Sequence, residues 1–169
     1  MGFGVVRASG AGKAEYVDMG VLDLRKLKDP YSKLRRIHEF TSELCGKYAP
    51  DDLAIESPFY GKNAQVIFKL GRAQGAAIVA AAEAGANVSE YAPRKAKISI
   101  CGNGAASKEQ VAPMVSKTLG ISIRPEHLDA TDALAIAMAH YYEISSPLGA
   151  VKASGSWKKF ITDNPGRVK

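Results

Sequence analysis

Residues 53–56 read Leu-Ala-Ile-Glu, a short apolar run that closes on a carboxylate. Such a run suits a buried strand. A charge at its end is costly unless the strand opens onto a crevice, and α/β sheets place their sites at the carboxyl ends of strands. Downstream, residues 63–84 are rich in alanine, include Gly71 and Gly75, and read as a long helix. Residues 87–91 then have strand character. Upstream, residues 2–7 read as a short strand with Phe3 and Val5 on one face. Residues 8–13 read as a Gly/Ser/Ala-rich turn and 14–24 as the second strand of a hairpin. Asp29-Pro30 starts a helix that runs to about Tyr48, with Leu34, Ile37, His38, Phe40 and Leu44 near helical spacing. That spacing puts His38 on the core side. Pro93 opens a short helix to about Ile100, Gly102-Asn103-Gly104 makes a turn, and Ser107 caps a helix to about Leu119. A last helix runs from Asp129 to about Tyr142. There is no internal repeat. A hairpin followed by alternating strands and helices predicts an α/β layer fold.

The chain has 169 residues, enough to bury roughly 70% of its unfolded surface without disulfides or structural metal. Hydrophobic residues make up 46% and charged residues 24%, which excludes global disorder. No apolar run approaches the roughly 20 residues of a membrane helix, and the N-terminus lacks the pattern of a secretory signal. Cys45 and Cys101 are too few for a disulfide framework and lack zinc-ligand spacing. The expectation is a cytoplasmic protein with reduced thiols. The net charge of +6 is unevenly spread. Residues 145–169 carry five bases against one acid, and residues 92–108 carry four bases and no acid, so the remainder is slightly acidic. Two basic segments on an acidic body suggest a polyanion surface; a solvated face and a solubilising tail are the plain alternative. The expected division is a folded domain over 1–144 and a basic, flexible tail over 145–169, in which Trp157 and Phe160 stand among the bases.

Three acids stand out. Glu56 ends the apolar strand, and Asp129 and Asp132 are three apart, so they share one face of a helix start. Capping explains the pair on its own, with Asp129 as N-cap and Asp132 at the third position. With Glu56 they form an oxygen-rich set suited to Mg²⁺, which takes a few carboxylates plus substrate phosphate. Two such ions can activate water and stabilise the leaving oxygen of a phosphodiester. A nuclease needs basic surface beside such a site, because acids alone repel nucleic acid.

These residues resemble a known family. The stretches at 53–63 (LAIESPFYGKN), 69–79 (KLGRAQGAAIV), 91–97 (YAPRKAK) and 129–137 (DATDALAIA) are similar, in order, to the RuvC-type Holliday junction resolvases. The resemblance covers about residues 2–140. It implies an RNase H-like mixed sheet flanked by helices, a homodimer, and Mg²⁺-dependent symmetric cutting of four-way DNA junctions in recombination and repair. It implies Glu56, Asp129 and Asp132 as metal ligands, two ions per subunit, and Lys97 and Lys108 as catalytic lysines that hold phosphate or stabilise developing charge. It implies Phe59, or its rival Tyr60, as the aromatic stacking on an unpaired base at the crossover. Lys62, Asn63, Arg94 and Lys95 are further DNA-contact candidates. The helix from Asn63 matches the dimer helix, where Gly71, Gly75 and Ala76 permit close approach; packing on the sheet is the alternative. The family also implies a branch-migration motor complex that delivers the junction. His127 and His140 lie near the acids and receive no role.

One departure stands out. The family opens with a central strand bearing a fourth acid, then Pro-Gly and a tight turn. This sequence begins at Met1-Gly2, inside that turn. Glu15, Asp18 and Asp23 sit on or near the hairpin, away from the crevice, and do not replace that acid. The expectation is that Met1 is internal to a longer natural chain. The short chain is expected to fold weakly and cut little, with junction binding surviving on its basic surface. A non-catalytic dimeric branched-DNA-binding protein is therefore the alternative, and an RNase H-like nuclease for another nucleic acid is a third reading.

Overall fold

A computed structural model describes residues 1–9, 13–57, 63–123 and 128–146. The described elements are β1 (Gly2–Ser9), β2 (Lys13–Val21), α1 (Pro30–Tyr48), β3 (Asp52–Glu56), α2 (Ala64–Glu83), β4 (Asn87–Tyr91), α3 (Pro93–Cys101), α4 (Lys108–Leu119) and α5 (Leu128–Ser145). β1 pairs antiparallel with β2, with a register shift between Val5 and Val6. β3 pairs parallel with β4 across the α2 crossover, and Glu56 stands opposite Tyr91.

Local chemistry sets most boundaries. Asp29 accepts a hydrogen bond from the Ser32 N–H at 2.6 Å, Pro30 occupies the first turn where no donor is required, and Ala49 closes α1 in the left-handed region. Asn63 caps α2 by accepting from the N–H groups of Gln65 and Val66. Gly102 and Gly120 end α3 and α4 with positive φ, where a side chain would be strained. Three sequence expectations are corrected. The hairpin strands extend to Ser9 and from Lys13, because cross-strand pairing continues through residues read as a turn. Asp129 is not an N-cap: α5 starts one residue earlier, at Leu128, so both acids lie within the helix. His38 is not a core residue; its ring meets solvent and its Nε2 lies 3.1 Å from Glu83 Oε2.

The sheet is in two halves. Among the described residues β1 bonds with β2 and β3 with β4, with no ladder between the pairs. A cleft of about 850 Å³ separates them, lined by Phe3 and Val5 of β1, Leu53 and Ile55 of β3, and parts of α1 and α5. The hairpin is held instead by α5. Leu134 and Met138 of α5 are fully buried against Ile100, Val111 and Val115, with Val6 and Met19 of the hairpin alongside. Ile136 and Ala139 pack on Tyr91 and Ala96. The other flank joins Leu22 and Ile37 to Ala77 of α2.

Two glycines set the approach of β1 to α5. A Cβ on Gly2 would stand 2.1 Å from the Asp129 carbonyl oxygen, and one on Gly4 would stand 2.7 Å from Leu134 Cδ2. The missing side chains are what allow strand and helix to touch. The hairpin acids lie elsewhere. Asp18 accepts from the Tyr48 hydroxyl and lies 3.5 Å from Lys47 Nζ, while Asp23 pairs with Arg25 at 2.9 Å.

Asp18 ties β2 to the end of α1. The Tyr48 hydrogen bond, then the Met19 N–H and the Lys47 charge, hold its carboxyl below the usual value of 3.8, against an opposing effect of burial. A carboxyl depressed in the folded state stabilises the fold above its unfolded pKa, and that contribution is lost as pH falls through the folded value. Asp18→Asn is therefore expected to lower the thermal midpoint at pH 7 and to flatten the decline below about pH 4. Equal midpoint shifts for the two proteins at pH 7 and pH 3 would remove Asp18 from that role.

Candidate active site

Four elements deliver the site. β3 ends at Glu56, α3 carries Lys97, α4 begins with Lys108, and the first turns of α5 carry Asp129 and Asp132. Ser107 sits at the N-cap of α4, and its N–H donates to Gln110 Oε1 at 2.9 Å, which fixes where Lys108 leaves the backbone. The packing of α3 and α4 on buried α5 brings both lysines to the acids. Glu56, Lys97, Lys108 and Asp132 line one cavity of about 130 Å³. Glu56, Lys108, Asp129 and Asp132 also line the large cleft, so the site stands where the two spaces meet.

The charges are arranged around one ammonium. Lys108 Nζ is 3.1 Å from Asp129 Oδ1 and 2.8 Å from Asp132 Oδ2. Those two carboxylates raise the Lys108 pKa above its ordinary 10.5, so it stays charged. Glu56 is pushed the other way. Desolvation comes first and the charge of Asp132 second, and both raise its carboxyl above 4.5 while Lys108 and Lys97 oppose them. Glu56 still meets solvent at the strand end, so it can reach an incoming group.

This geometry fits a divalent cation in part. The Lys108 ammonium is a stand-in cation, and it shows that oxygens of Asp129 and Asp132 converge on one point. The donors are hard carboxylate oxygens, and Mg²⁺ is commonly held by one or two carboxylates with substrate phosphate completing its shell. Among the described residues no group of three acidic, His or Cys side chains is close enough to hold one ion. Glu56 therefore stands beside the pair rather than within a preassembled triad.

The DNA-contact candidates divide. Phe59, Tyr60 and Lys62 lie outside the described residues, as do His127, Trp157 and Phe160. Asn63 is engaged as the α2 cap. Arg94 is exposed, its stem beside Gly104. Lys95 is tied to Glu143 at 2.5 Å and sits over the Tyr91 ring. Sequence reasoning missed one buried polar cluster. His140 Nδ1 lies 2.8 Å from the Tyr91 hydroxyl, and His140 Nε2 lies 3.7 Å from Asp52 Oδ2. Burial, with help from the charge of Glu143, pushes the Tyr91 hydroxyl up to about 12. It joins α5 to the β3–β4 pair and so fixes the helix that carries the acids. A lone His in an Ala-rich helix was the available signal.

The comparisons with known proteins agree with this geometry. The family model described as crossover junction endodeoxyribonuclease RuvC matches residues 1–140. The crossover junction endodeoxyribonuclease RuvC of Bacteroides fragilis is 48% identical, over 100% of this chain and 90% of its own length. Its namesake in Cytophaga hutchinsonii is 47% identical, over 100% of this chain and 82% of its own. Among solved structures, Thermus thermophilus RuvC in complex with a Holliday junction substrate superposes with a TM-score of 0.76 at 36% identity, covering 85% of this chain and 87% of that one. A second Thermus thermophilus RuvC structure superposes with a TM-score of 0.72 at 37% identity, covering 83% of this chain and 87% of that one. An RNase H-like arrangement, carboxylates converging where β3 meets α5, and likeness over the whole domain lead to one assignment: the chain belongs to the RuvC family of crossover junction endodeoxyribonucleases.

Proposed function

We propose that this protein is a structure-selective DNA endonuclease that resolves four-way junctions by paired symmetric nicks, using divalent cations, Mg²⁺ foremost. The observation that carries the reading is the convergence of Asp129 and Asp132 on a single cation position beside Glu56. Asp129 and Asp132 would hold the ion, with Glu56 reaching it from the strand end. When bound, a divalent ion lowers the pKa of water and neutralises charge on the phosphate. Lys97 and Lys108, across the small cavity from Glu56 and beside Asp132, face the scissile phosphate and counter the charge that builds on it. α5 keeps both aspartates aligned, and the Tyr91–His140 contact keeps α5 against β4. Junction DNA reaches the site over the basic surface of α3, so affinity falls steeply with salt. The test is competition: a labelled four-way junction bound by the protein should resist excess linear duplex of equal length. Displacement at equal mass would reduce the reading to nonspecific DNA binding.

The protein acts as a homodimer in this reading, in the cytoplasm, with a branch-migration motor delivering the junction. The motor rests on family resemblance alone. The dimer has support on α2. Phe68, Gly71, Gly75 and Val79 follow helical spacing; Phe68 is 70% and Val79 50% exposed. A Cβ on Gly71 or Gly75 would meet nothing within 4 Å. The inner side of α2 already packs on α1 through Ala73 and Ala77, so these glycines serve no packing within the described residues. Phe68→Glu is expected to halve the mass measured by light scattering at micromolar concentration. An unchanged dimer would move the interface elsewhere.

The non-catalytic alternative is favoured by one feature, the absence of a three-ligand group among the described residues. The cleft between β1 and β3 bears on it. We further propose that an additional strand, antiparallel to β1, seats in that cleft and completes the sheet, since strand edges facing an apolar cleft leave backbone groups to be satisfied. A version carrying an added strand ahead of Met1 tests this: its amide exchange should slow at β1 and β3 relative to this chain.

A further inference from the structure

Lys108 has two calls on its charge. Its ammonium bridges Asp129 and Asp132 at 3.1 and 2.8 Å. It also lines the cavity shared with Glu56 and Lys97, where a phosphate would be held. In this structure it meets both from one position, and an ion seated between the carboxylates would leave the ammonium only the cavity side. The bridging position coincides with the point on which the two carboxylates converge, and that is where a divalent ion would sit. The side chain is 48% exposed and comes from the first residue of α4, so it can swing without moving the helix.

We propose that Lys108 is a two-position residue. In the metal-free protein its ammonium occupies the cation position between Asp129 and Asp132, and a divalent ion enters by displacing it toward the phosphate. The inference rests on reading the aspartate pair as a divalent-cation site. Two carboxylates sharing a point repel one another unless a cation lies between them, so the lysine keeps the pair aligned while no ion is bound. It also competes with the ion, which makes metal affinity low in the absence of DNA. A phosphate that draws Lys108 away frees both carboxylates. Metal and DNA therefore strengthen each other's binding, and by linkage the factor is the same in both directions. The site loads its ion when substrate is present.

The test is Mn²⁺ binding, read from the loss of the free-ion electron paramagnetic resonance signal, with no cleavage measured. Lys108→Met removes the charge and keeps the stem. It is expected to bind Mn²⁺ about tenfold more tightly than the unaltered protein and to lose most of the gain that junction DNA otherwise gives. Lys108→Arg keeps a cation in place and should stay near the unaltered affinity. Circular dichroism confirms that each variant is folded. If Lys108→Met binds Mn²⁺ no more tightly, while Asp132→Asn abolishes binding, the exchange is wrong and the cation site stands. If Mn²⁺ binds none of the proteins in an Asp132-dependent way, the cation reading fails and the exchange fails with it.

Discussion

Asp132→Asn is expected to lower junction cleavage at least about a hundredfold while junction affinity stays within about twofold. The change is nearly isosteric and lies on a helix whose opposite face is fully buried, so the fold is not at issue. What changes is charge. Lys108 loses its 2.8 Å partner, and an incoming divalent ion meets one carboxylate instead of two. Glu56 loses the repulsion that helps to raise its carboxyl, so it ionises more readily; this cannot compensate, because Glu56 stands beside the cation position. DNA affinity should hold or rise slightly, since a negative charge facing phosphate has gone. Single-turnover cleavage and gel-shift titration on one junction separate the two effects. Cleavage within threefold of the unaltered protein would take Asp132 out of the chemistry.

The second large effect is on the fold that presents the site. Gly4→Val places a Cβ 2.7 Å from Leu134 Cδ2 and Cγ and 2.8 Å from the Leu134 N. Leu134 is 0% exposed and in the middle of α5, so neither its side chain nor its backbone can withdraw. Overpacking of this kind costs about 1–3 kcal/mol, and for a chain of this size the thermal midpoint should fall by roughly 3–10 °C. Gly46→Ala is the control. It lies in α1 with open space where its Cβ would go, and alanine in a helix interior is favoured by about 0.5–1 kcal/mol. A Gly4→Val midpoint equal to the unaltered protein's would mean that β1 does not dock on α5 as described.

These two residues also mark what the sequence carried and what it did not. Asp132 was legible because two acids three apart must share a helix face, whatever the surroundings. The bounds of α1 and β4 were legible for similar reasons: Asp29-Pro30 and Ala49-Pro50 punctuate one, and Gly85 and Pro93 bracket the other. Gly4 was not legible, since a glycine in a strand signals close approach without naming the neighbour. Lys108 carried a role by resemblance, but its bridge to Asp129 and Asp132 spans more than 20 residues and depends on how α4 docks on α5. His38 misled because helical spacing places it near the core stripe, while its actual partner, Glu83, comes from α2. The capping reading of Asp129 failed by a single residue, because Leu128 is already helical. Offsets of one residue are small in sequence and decisive in chemistry: an N-cap spends its carboxylate on the backbone, whereas Asp129 offers its own to Lys108.

The most direct measurement is to incubate a synthetic four-way junction, end-labelled on each strand in turn, with the protein and Mg²⁺ and to map the products. The chain should be run beside a version carrying an added strand ahead of Met1. The account predicts nicks at matching positions on two opposing strands, with 5′-phosphate and 3′-hydroxyl ends, stronger with the added strand and lost in Asp132→Asn. Junctions that are bound but left intact by both versions would contradict it and identify a branched-DNA-binding protein without nuclease activity.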